Sequence, residues 1–520
     1  MNRQITAVVF GVVIIVAGLL AFRNGTVQNT NTALTKSEPA KITEIVELKN
    51  GDTYDLTASY VEKDINGVPY KMLAYNGSIP GPIIKVPQGA EVTINFKNGT
   101  DMSTLLHSHG VRMDNEFDGS QSTQEEMKPG ETFSYKLKFP DSGMYWYHPH
   151  VREDYQQELG LYGNYLVVAT DEKYWNGVNR EVPLILDDIL IENGKINLSK
   201  KEADRTLMGR YGNTMLVNGE TNYKLTATQG EVIRFYLTNA ANARPFNFMI
   251  KGAKMKLVGG DAGATEREEW TDSVILGPSE RVVVEVSFAK EGSYALEHKT
   301  PLKTYELGTV TVSGGVAYPY YGDIFNTLRT NDVTKTSIDP YREYLTKPVD
   351  KELNLTIDMM GGSMGGHRMP DGSMMGGMMM GGQVSADGIE WEDTDMATMN
   401  QMATKDTTQW KIVDKATGKV NEDIDWGFKV GDKVKIRITN DAKSAHPMQH
   451  PIHFHGQRFL VVNENGTMND NLVWKDTVMV PAGQYVDILL DTTNPGEWMA
   501  HCHIAEHLEA GMMFEFSVAE

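Results

Sequence analysis

The chain has 520 residues and a formal net charge of −20, from 49 basic against 69 acidic side chains. That balance repels phosphate backbones and excludes nucleic acid as a partner; it suits an exported protein that attracts cations, although solubility alone accounts for it. The one cysteine, Cys502, excludes an intrachain disulfide, so a large core must supply the stability that extracytoplasmic proteins often draw from cross-links.

From Ile5 to Phe22 there is no charge and the residues are mostly aliphatic, with Arg3 before and Arg23 after. Such a length sits at the lower limit for spanning a bilayer. Residues 1–23 therefore read as a hydrophobic helix, either a secretory signal peptide or an uncleaved membrane anchor. The lack of a clear small-x-small cleavage site after Leu20 favours the anchor. No cysteine lies nearby and no arginine pair precedes the stretch, which excludes a lipoprotein and a twin-arginine signal. Both readings put the rest of the chain outside the cytoplasm, in the periplasm or at the cell surface, behind a polar linker at 24–44.

The roughly 475 residues that follow are enough for two to four domains, and an internal repeat fixes the number at three. Gln88-Gly89 leads to Asn98, Gln229-Gly230 to Asn239, and Val430-Gly431 to Asn440, with apolar and polar residues alternating between them. That alternation predicts a half-buried strand each time. A second element also recurs. Pro129-Gly130-Glu131 precedes Gly143…His148, Pro278-Ser279-Glu280 precedes Gly292…His298, and Pro481-Ala482-Gly483 precedes Gly496…His501. Short strands punctuated by Gly, Pro and Asn predict an all-β chain of three Greek-key sandwiches, at 45–172, 173–312 and 351–520, with a connection at 313–350. From Met359 to Met402 there are twelve methionines spaced by glycine, a composition that builds no core and predicts an insertion in the third domain.

Ten of the thirteen histidines fall in four clusters: His107 and His109; His148 and His150; His450, His453 and His455; His501, His503 and His507. In a strand the spacing His-x-His puts both imidazoles on one face, suited to gripping metals. Cys502 lies between His501 and His503 and shortly before Met512. One thiolate, two nitrogens and a weak thioether form the ligand set of a blue-copper site. Strand alternation turns Cys502 one way and its two histidine neighbours the other, toward a second metal centre. The middle repeat has Arg244-Pro245-Phe246-Asn247-Phe248 where the outer copies have histidine pairs, and it keeps only His298, read as structural. The middle domain is thus a metal-free spacer, and the shared metal centre should lie between the outer two.

These motifs, His107-Ser108-His109-Gly110, His148-Pro149-His150, His450-Pro451-Ile452-His453-Phe454-His455-Gly456 and the run His501 to Met512, resemble the four signatures of the multicopper oxidases, the family of laccases, ascorbate oxidase and bacterial cuprous oxidases. The resemblance spans nearly all the chain after about residue 45 and implies cupredoxin domains and four copper ions. It implies that His450, Cys502, His507 and axial Met512 hold a type 1 copper and that His107 and His453 hold a type 2 copper. His109, His148 and His503 would hold one type 3 copper, and His150, His455 and His501 the other. His446, His298 and His367 are left over, His446 as a second-layer or surface residue.

The implied reaction takes single electrons from a donor, stores them in the cluster and reduces O2 to water, with Cys502 linking the two centres through its neighbours. Methionine as axial ligand implies a modest potential, suited to easily oxidised donors. The methionine-rich insertion resembles those of copper-tolerance oxidases, and soft thioethers favour Cu(I) as donor; a flexible, oxidation-buffering insert is the plainer reading. Asp118, eleven residues after His107, is the expected proton donor. Bacterial relatives often carry Glu directly after the counterpart of His507, where this chain has Leu508, and fungal laccases carry Asp at the place of Ala505. Glu506 and Glu509 are the substitutes at hand, with a surface role for both as the alternative. Competing functions are a phenol oxidase with a small phenolic donor, and a copper-storage protein without turnover. A copper nitrite reductase is disfavoured, because that family lacks paired histidines around the cysteine.

Overall fold

The computed structural model describes residues 37–359, 386–393 and 396–520. The expected hydrophobic helix at 5–22, His367 and most of the methionine-rich insertion lie outside them. Among the described residues no helix is long and apolar enough to cross a membrane.

Each Gly…Asn repeat forms a strand: Glu91–Asn98, Glu231–Asn239 and Lys433–Asn440. In the first, Val92, Ile94 and Phe96 are buried and the residues between them are not, the period of two that gives a sheet one inner face. The middle copy departs from the expected half-burial, because every residue of Glu231–Asn239 is buried. Tyr236 there packs with Met144 and Leu166 of the first sandwich and with Val258 and Val283 of its own, so its second face is covered too.

The closing asparagines have a job that sequence alternation alone does not reveal. Asn98 donates to the carbonyls of Met102 and Met127 at 2.9 and 2.8 Å. Asn239 donates to Arg244 and Leu276 at 2.8 and 3.0 Å. Asn440 donates to Met448 and Val480 at 2.6 and 2.9 Å. A buried amide must find such partners, and these pin the loop after the strand. For Asn440 that loop enters His450–Phe454, whose His450 pairs with Val480.

The same topology occurs three times. One sheet of each sandwich pairs a leading strand in parallel with the repeat strand: Thr53–Ile65 with Glu91–Asn98, Arg180–Ile189 with Glu231–Asn239, and Lys351–Met359 with Lys433–Asn440. The other sheet pairs Ile83–Pro87 with Gly163–Val168, Tyr223–Thr228 with Thr304–Ser313, and Trp426–Lys429 with Met513–Ala519, again in parallel. Parallel partners need crossovers, which is the Greek-key signature within mixed sheets. Gly143, Gly292 and Gly496 open Gly143–His148, Gly292–Lys299 and Gly496–Cys502 at φ of +150°, +140° and +134°. Glycine alone takes that conformation freely.

Three apolar cores fill the sandwiches, around Trp146, Phe235 and Trp498. The connection after the second sandwich carries helices Gly322–Phe325 and Asp332–Ile338, and Ile338 packs on Leu460, Trp474 and Leu489 of the third.

Candidate metal centres

The first centre is built on two antiparallel strands of the third sandwich, His450–Phe454 and Gly496–Cys502, with Ile452 opposite Cys502. Helix Ala505–Glu509 brings in His507. Cys502 Sγ lies 3.5 Å from His450 Nδ1 and 3.7 Å from His507 Nδ1, and the two nitrogens are 3.3 Å apart. Such a triangle matches ligands gathered around one ion at bonds of about 2.0–2.3 Å. All three residues are buried, as is Met512. Met512 is fixed from both sides, its carbonyl accepting from Cys502 N and its N–H donating to His507 O, each at 3.0 Å. Burial drives the Cys502 thiol upward and His450 down to about 3, with His446 adding to the second effect. A bound cation reverses the first effect, since a thiolate needs a positive partner there.

Trp410 is the platform of this centre and sequence reading missed it. Its ring lies 4.6 Å from His450 and 4.2 Å from His507, and its Nε1 donates to Thr206 O at 2.7 Å. The leftover His446 packs 6.4 Å from the same ring. It is buried, which rules out the surface alternative, and its Nε2 has no partner.

The second centre joins the first and third sandwiches. His107–His109 pairs with Gly143–His148, placing His107 opposite His148, while His453 lies opposite His501. The rings of His109, His148 and His503 form one triangle with sides of 5.7, 5.0 and 5.0 Å. Those of His150, His455 and His501 form another with sides of 5.0, 5.1 and 5.3 Å. His107 and His453 lie 5.9 Å apart, stacked against His455 and His109 at 4.1 and 3.7 Å. His501 thus faces the cluster and Cys502 the other centre, as strand alternation requires.

In four of the rings a backbone acceptor decides which nitrogen is free. A carbonyl only accepts, so the ring nitrogen against it carries the proton. His107 Nδ1 donates to Asp118 O at 2.7 Å, His148 Nδ1 to Pro149 O at 2.8 Å, His453 Nδ1 to Asp476 O at 2.8 Å and His501 Nδ1 to Cys502 O at 2.9 Å. Their Nε2 lone pairs are left over, and those of His107, His148 and His453 have no protein partner. His109 is the inverse case: its Nε2 is bonded and its Nδ1 is the orphan. His455 and His501 bring their Nε2 atoms within 3.0 Å of each other. An unpaired buried polar atom costs about 1–3 kcal/mol, so this many in one place fits a metal cluster. Burial, with mutual repulsion among the rings, also holds His109, His148, His150, His453, His455 and His503 far below the ordinary imidazole range. Neutral rings are the form that binds metal.

Asp118 is buried and accepts from His455 Nδ1 at 2.9 Å, while its backbone carbonyl holds His107. It therefore touches one ring from each outer sandwich. Glu506 is buried, which removes the surface alternative for it; burial lifts its carboxyl to about 7, against the pull of Arg210. Glu509 is about a quarter exposed and is raised to about 7 by burial and Asp154. A further acid was missed. Glu153 of helix Glu153–Gln156 is fully buried with Oε1 3.4 Å from His150 Nε2, and neither of its oxygens has a hydrogen-bond partner. Burial, reinforced by Glu509 and Asp154, raises it well above the carboxylate range. Its position three residues after His150 was the available signal. In the middle sandwich, His298 accepts from Asn247 N at 3.0 Å and stacks on Tyr305, a hydrogen-bonded core residue.

Three β-sandwiches carrying a buried site of one cysteine and two histidines, beside an eight-imidazole cluster, define a copper redox protein. Three family models, each described as Multicopper oxidase, match residues 57–172, 146–312 and 391–520. The chain is 27% identical over 461 residues to the multicopper oxidase mco of Staphylococcus aureus, covering 86% of this chain and 84% of that one. It is 24% identical over 599 residues to copper resistance protein A of Escherichia coli, covering 90% and 93%. A solved structure of a multicopper oxidase from Campylobacter jejuni, described as a metallo-oxidase, resembles it with a TM-score of 0.67 at 25% identity, covering 93% and 96%. The chain belongs to the multicopper oxidases, and it is an oxidoreductase that uses copper and takes O2 as electron acceptor.

Proposed function

We propose that the physiological donor is Cu(I), so that four Cu(I), one O2 and four protons give four Cu(II) and two waters. On this reading His450, Cys502, His507 and Met512 hold the type 1 copper, and His107 and His453 the type 2 copper. His109, His148 and His503 hold one type 3 copper, and His150, His455 and His501 the other. The ligand-bearing units are 45–172 and 351–520, with 173–312 supplying no ligand. Bound copper supplies the one-electron steps and the reduction of O2.

The observation that carries the donor is where the ends of the methionine-rich insertion lie. Met359, Met396 and Met399 pack against the apolar cluster that contains Cys502 and Met512. Helix Ala397–Met402 is tied down by Asn400, which accepts from Met208 N at 3.0 Å and donates to Gly209 O at 2.9 Å. Those residues adjoin Thr206, the partner of Trp410. Thioethers held against the core of the sandwich that bears Cys502 favour a soft cation, and His446, whose Nε2 has no partner, packs near the Trp410 ring.

The remaining work of the chain is to move protons and exclude water. Asp118, bonded to His455 and holding His107 through its backbone carbonyl, is the proton donor at the cluster. Glu153 holds a proton beside His150, and Glu509, partly exposed, refills it from solvent. Glu153 so takes the place of the acid that Leu508 lacks.

We also propose an extracytoplasmic location set by residues 5–22, as signal or anchor. Deleting residues 360–382 and measuring O2 uptake with Cu(I) and with a phenol tests the donor. The expected result is a selective loss with Cu(I). Equal retention of both activities would discard the methionine-rich insertion as a Cu(I) collector, and uptake by the intact protein with the phenol but not with Cu(I) would leave a phenol oxidase. No uptake by the intact protein with either donor would indicate storage.

A further inference from the structure

We infer that Arg281, from the sandwich that holds none of the expected ligands, is a positioning residue for the copper cluster: it clamps Asp476 so that His109 turns Nδ1, and not Nε2, toward the metals. The inference rests on His109 being a cluster ligand.

Asp476 reaches both outer sandwiches. Its Oδ1 accepts from His109 Nε2 at 3.0 Å, across 367 residues of sequence, and its backbone carbonyl accepts from His453 Nδ1 at 2.8 Å. Because a carboxylate only accepts, His109 must carry its proton on Nε2, and Nδ1 is left bare; that nitrogen is buried without a partner. An outer carboxylate of this kind fixes both the tautomer and the ring plane of a ligand histidine.

The carboxylate could still rotate, and Arg281 prevents it. The guanidinium grips both oxygens of Asp476, Nη1 to Oδ1 at 2.7 Å and Nη2 to Oδ2. This planar fork-to-fork geometry is specific to arginine. The other donors of Arg281 are also used: Nε goes to Met144 O at 3.0 Å, and Nη1 to Ser279 O at 3.0 Å. Met144 lies in the strand that carries His148, so one fully buried side chain from the middle sandwich ties a cluster-bearing strand of the first to Asp476 of the third. Asp261 completes the fixture, taking Arg281 N at 2.7 Å and the backbone N–H of Asp476 and Thr477 at 3.3 Å each.

Two backbone features show that room was made for the clamp. Ser279 holds φ at +68°, a conformation unfavourable for a residue with a side chain, and the first repeat has Gly130 at the corresponding place. Its hydroxyl is bonded to Thr477 Oγ1 at 3.1 Å, which holds the turn. Gly110, which closes the motif His107-Ser108-His109-Gly110, has φ +77°, and a Cβ there would overlap the Asp476 carboxylate and lie 3.0 Å from Arg281 Nη2.

The test compares Arg281→Gln and Arg281→Lys with the wild type, each loaded with copper. Expected for Arg281→Gln is a wild-type type 1 absorption band and a cluster that gives up copper to a chelator about 10- to 100-fold more readily, as for other outer partners of metal ligands. The near-ultraviolet band of the coupled pair should weaken and the EPR-visible fraction of copper should rise. In metal-free protein with 15N-labelled histidine, His109 should pass from the Nε2–H tautomer to a mixture. Arg281→Lys, which keeps the charge and loses the fork, should fall between, and it carries the test alone if Arg281→Gln does not fold. Wild-type cluster affinity, pair band and His109 tautomer in the folded variants would overturn the role of Arg281 while leaving the ligand reading intact. A wild type that binds one copper would instead remove the ligand reading, and this inference with it.

Discussion

At the scale of single residues the two centres separate cleanly, because neighbours on one strand face apart. Cys502 lies in one cluster with His450 and His507, while His501, bonded through Nδ1 to the Cys502 carbonyl, lies in the other with His150 and His455. Cys502→Ser should therefore abolish the intense visible band and donor oxidation, yet leave the coupled pair with its near-ultraviolet band; loss of both bands would contradict the division. Glu153→Gln should slow O2 reduction by about 100-fold or more, in the range typical of a lost acid–base group, while the stopped-flow reduction of the type 1 centre stays at the wild-type rate. Slowing of that first electron would place Glu153 elsewhere in the cycle. Glu506 carries a stability signature too. Its carboxyl titrates near 7 in the fold and near the ordinary value when unfolded, so the folded state binds more protons between those limits. Stability from this group is then lost as pH rises from about 4.5 to about 7. In copper-free protein, Glu506→Gln should match the wild type in stability at pH 4 and exceed it at pH 8, by up to about 3 kcal/mol. An equal offset at both values would mean that Glu506 does not titrate there.

Individual elements show which parts of the fold and the site sequence could announce. The three repeat strands and the glycine-opened strands were legible because alternation and turn residues are local. The histidine sets were legible for the same reason, since His-x-His spacing and the neighbours of Cys502 fix faces within a few residues. Trp410, Asp476 and Arg281 carry no such mark. Arg281 meets Asp476 over 195 residues, and Trp410 meets Thr206 over 204; only the packed sandwiches create these pairs. The full burial of Glu231–Asn239 escaped likewise, because its second cover comes from the first sandwich. Gly456, which follows His455, is an element-level switch. It holds φ +65° and a Cβ there would run into the Trp498 ring, the centre of the third core. Gly456→Ala should cost about 2–4 kcal/mol, combining backbone strain with overpacking. The denaturant midpoint should drop and cluster copper should be lost first; an unchanged midpoint would show that the turn relaxes freely.

On the scale of the whole molecule, charge and donor chemistry make one joint demand. A net charge of −20 creates a field that draws cations from solution, and that field is screened over about 30 Å at 0.01 M salt but about 8 Å at 0.15 M. If Cu(I) is collected as a free or weakly ligated cation, its kcat/KM should fall several-fold across that range, in line with electrostatic steering. A neutral phenol entering the same type 1 centre feels no such pull, so its kcat/KM should stay flat and serve as the internal control. The salt must have an anion that does not bind Cu(I), since halide complexes would reverse the sign of the donor. A parallel drop for both donors would point to a salt effect on the protein itself. A flat response for both would mean that the surface acidity serves solubility alone and that the cation is steered only within reach of the methionines.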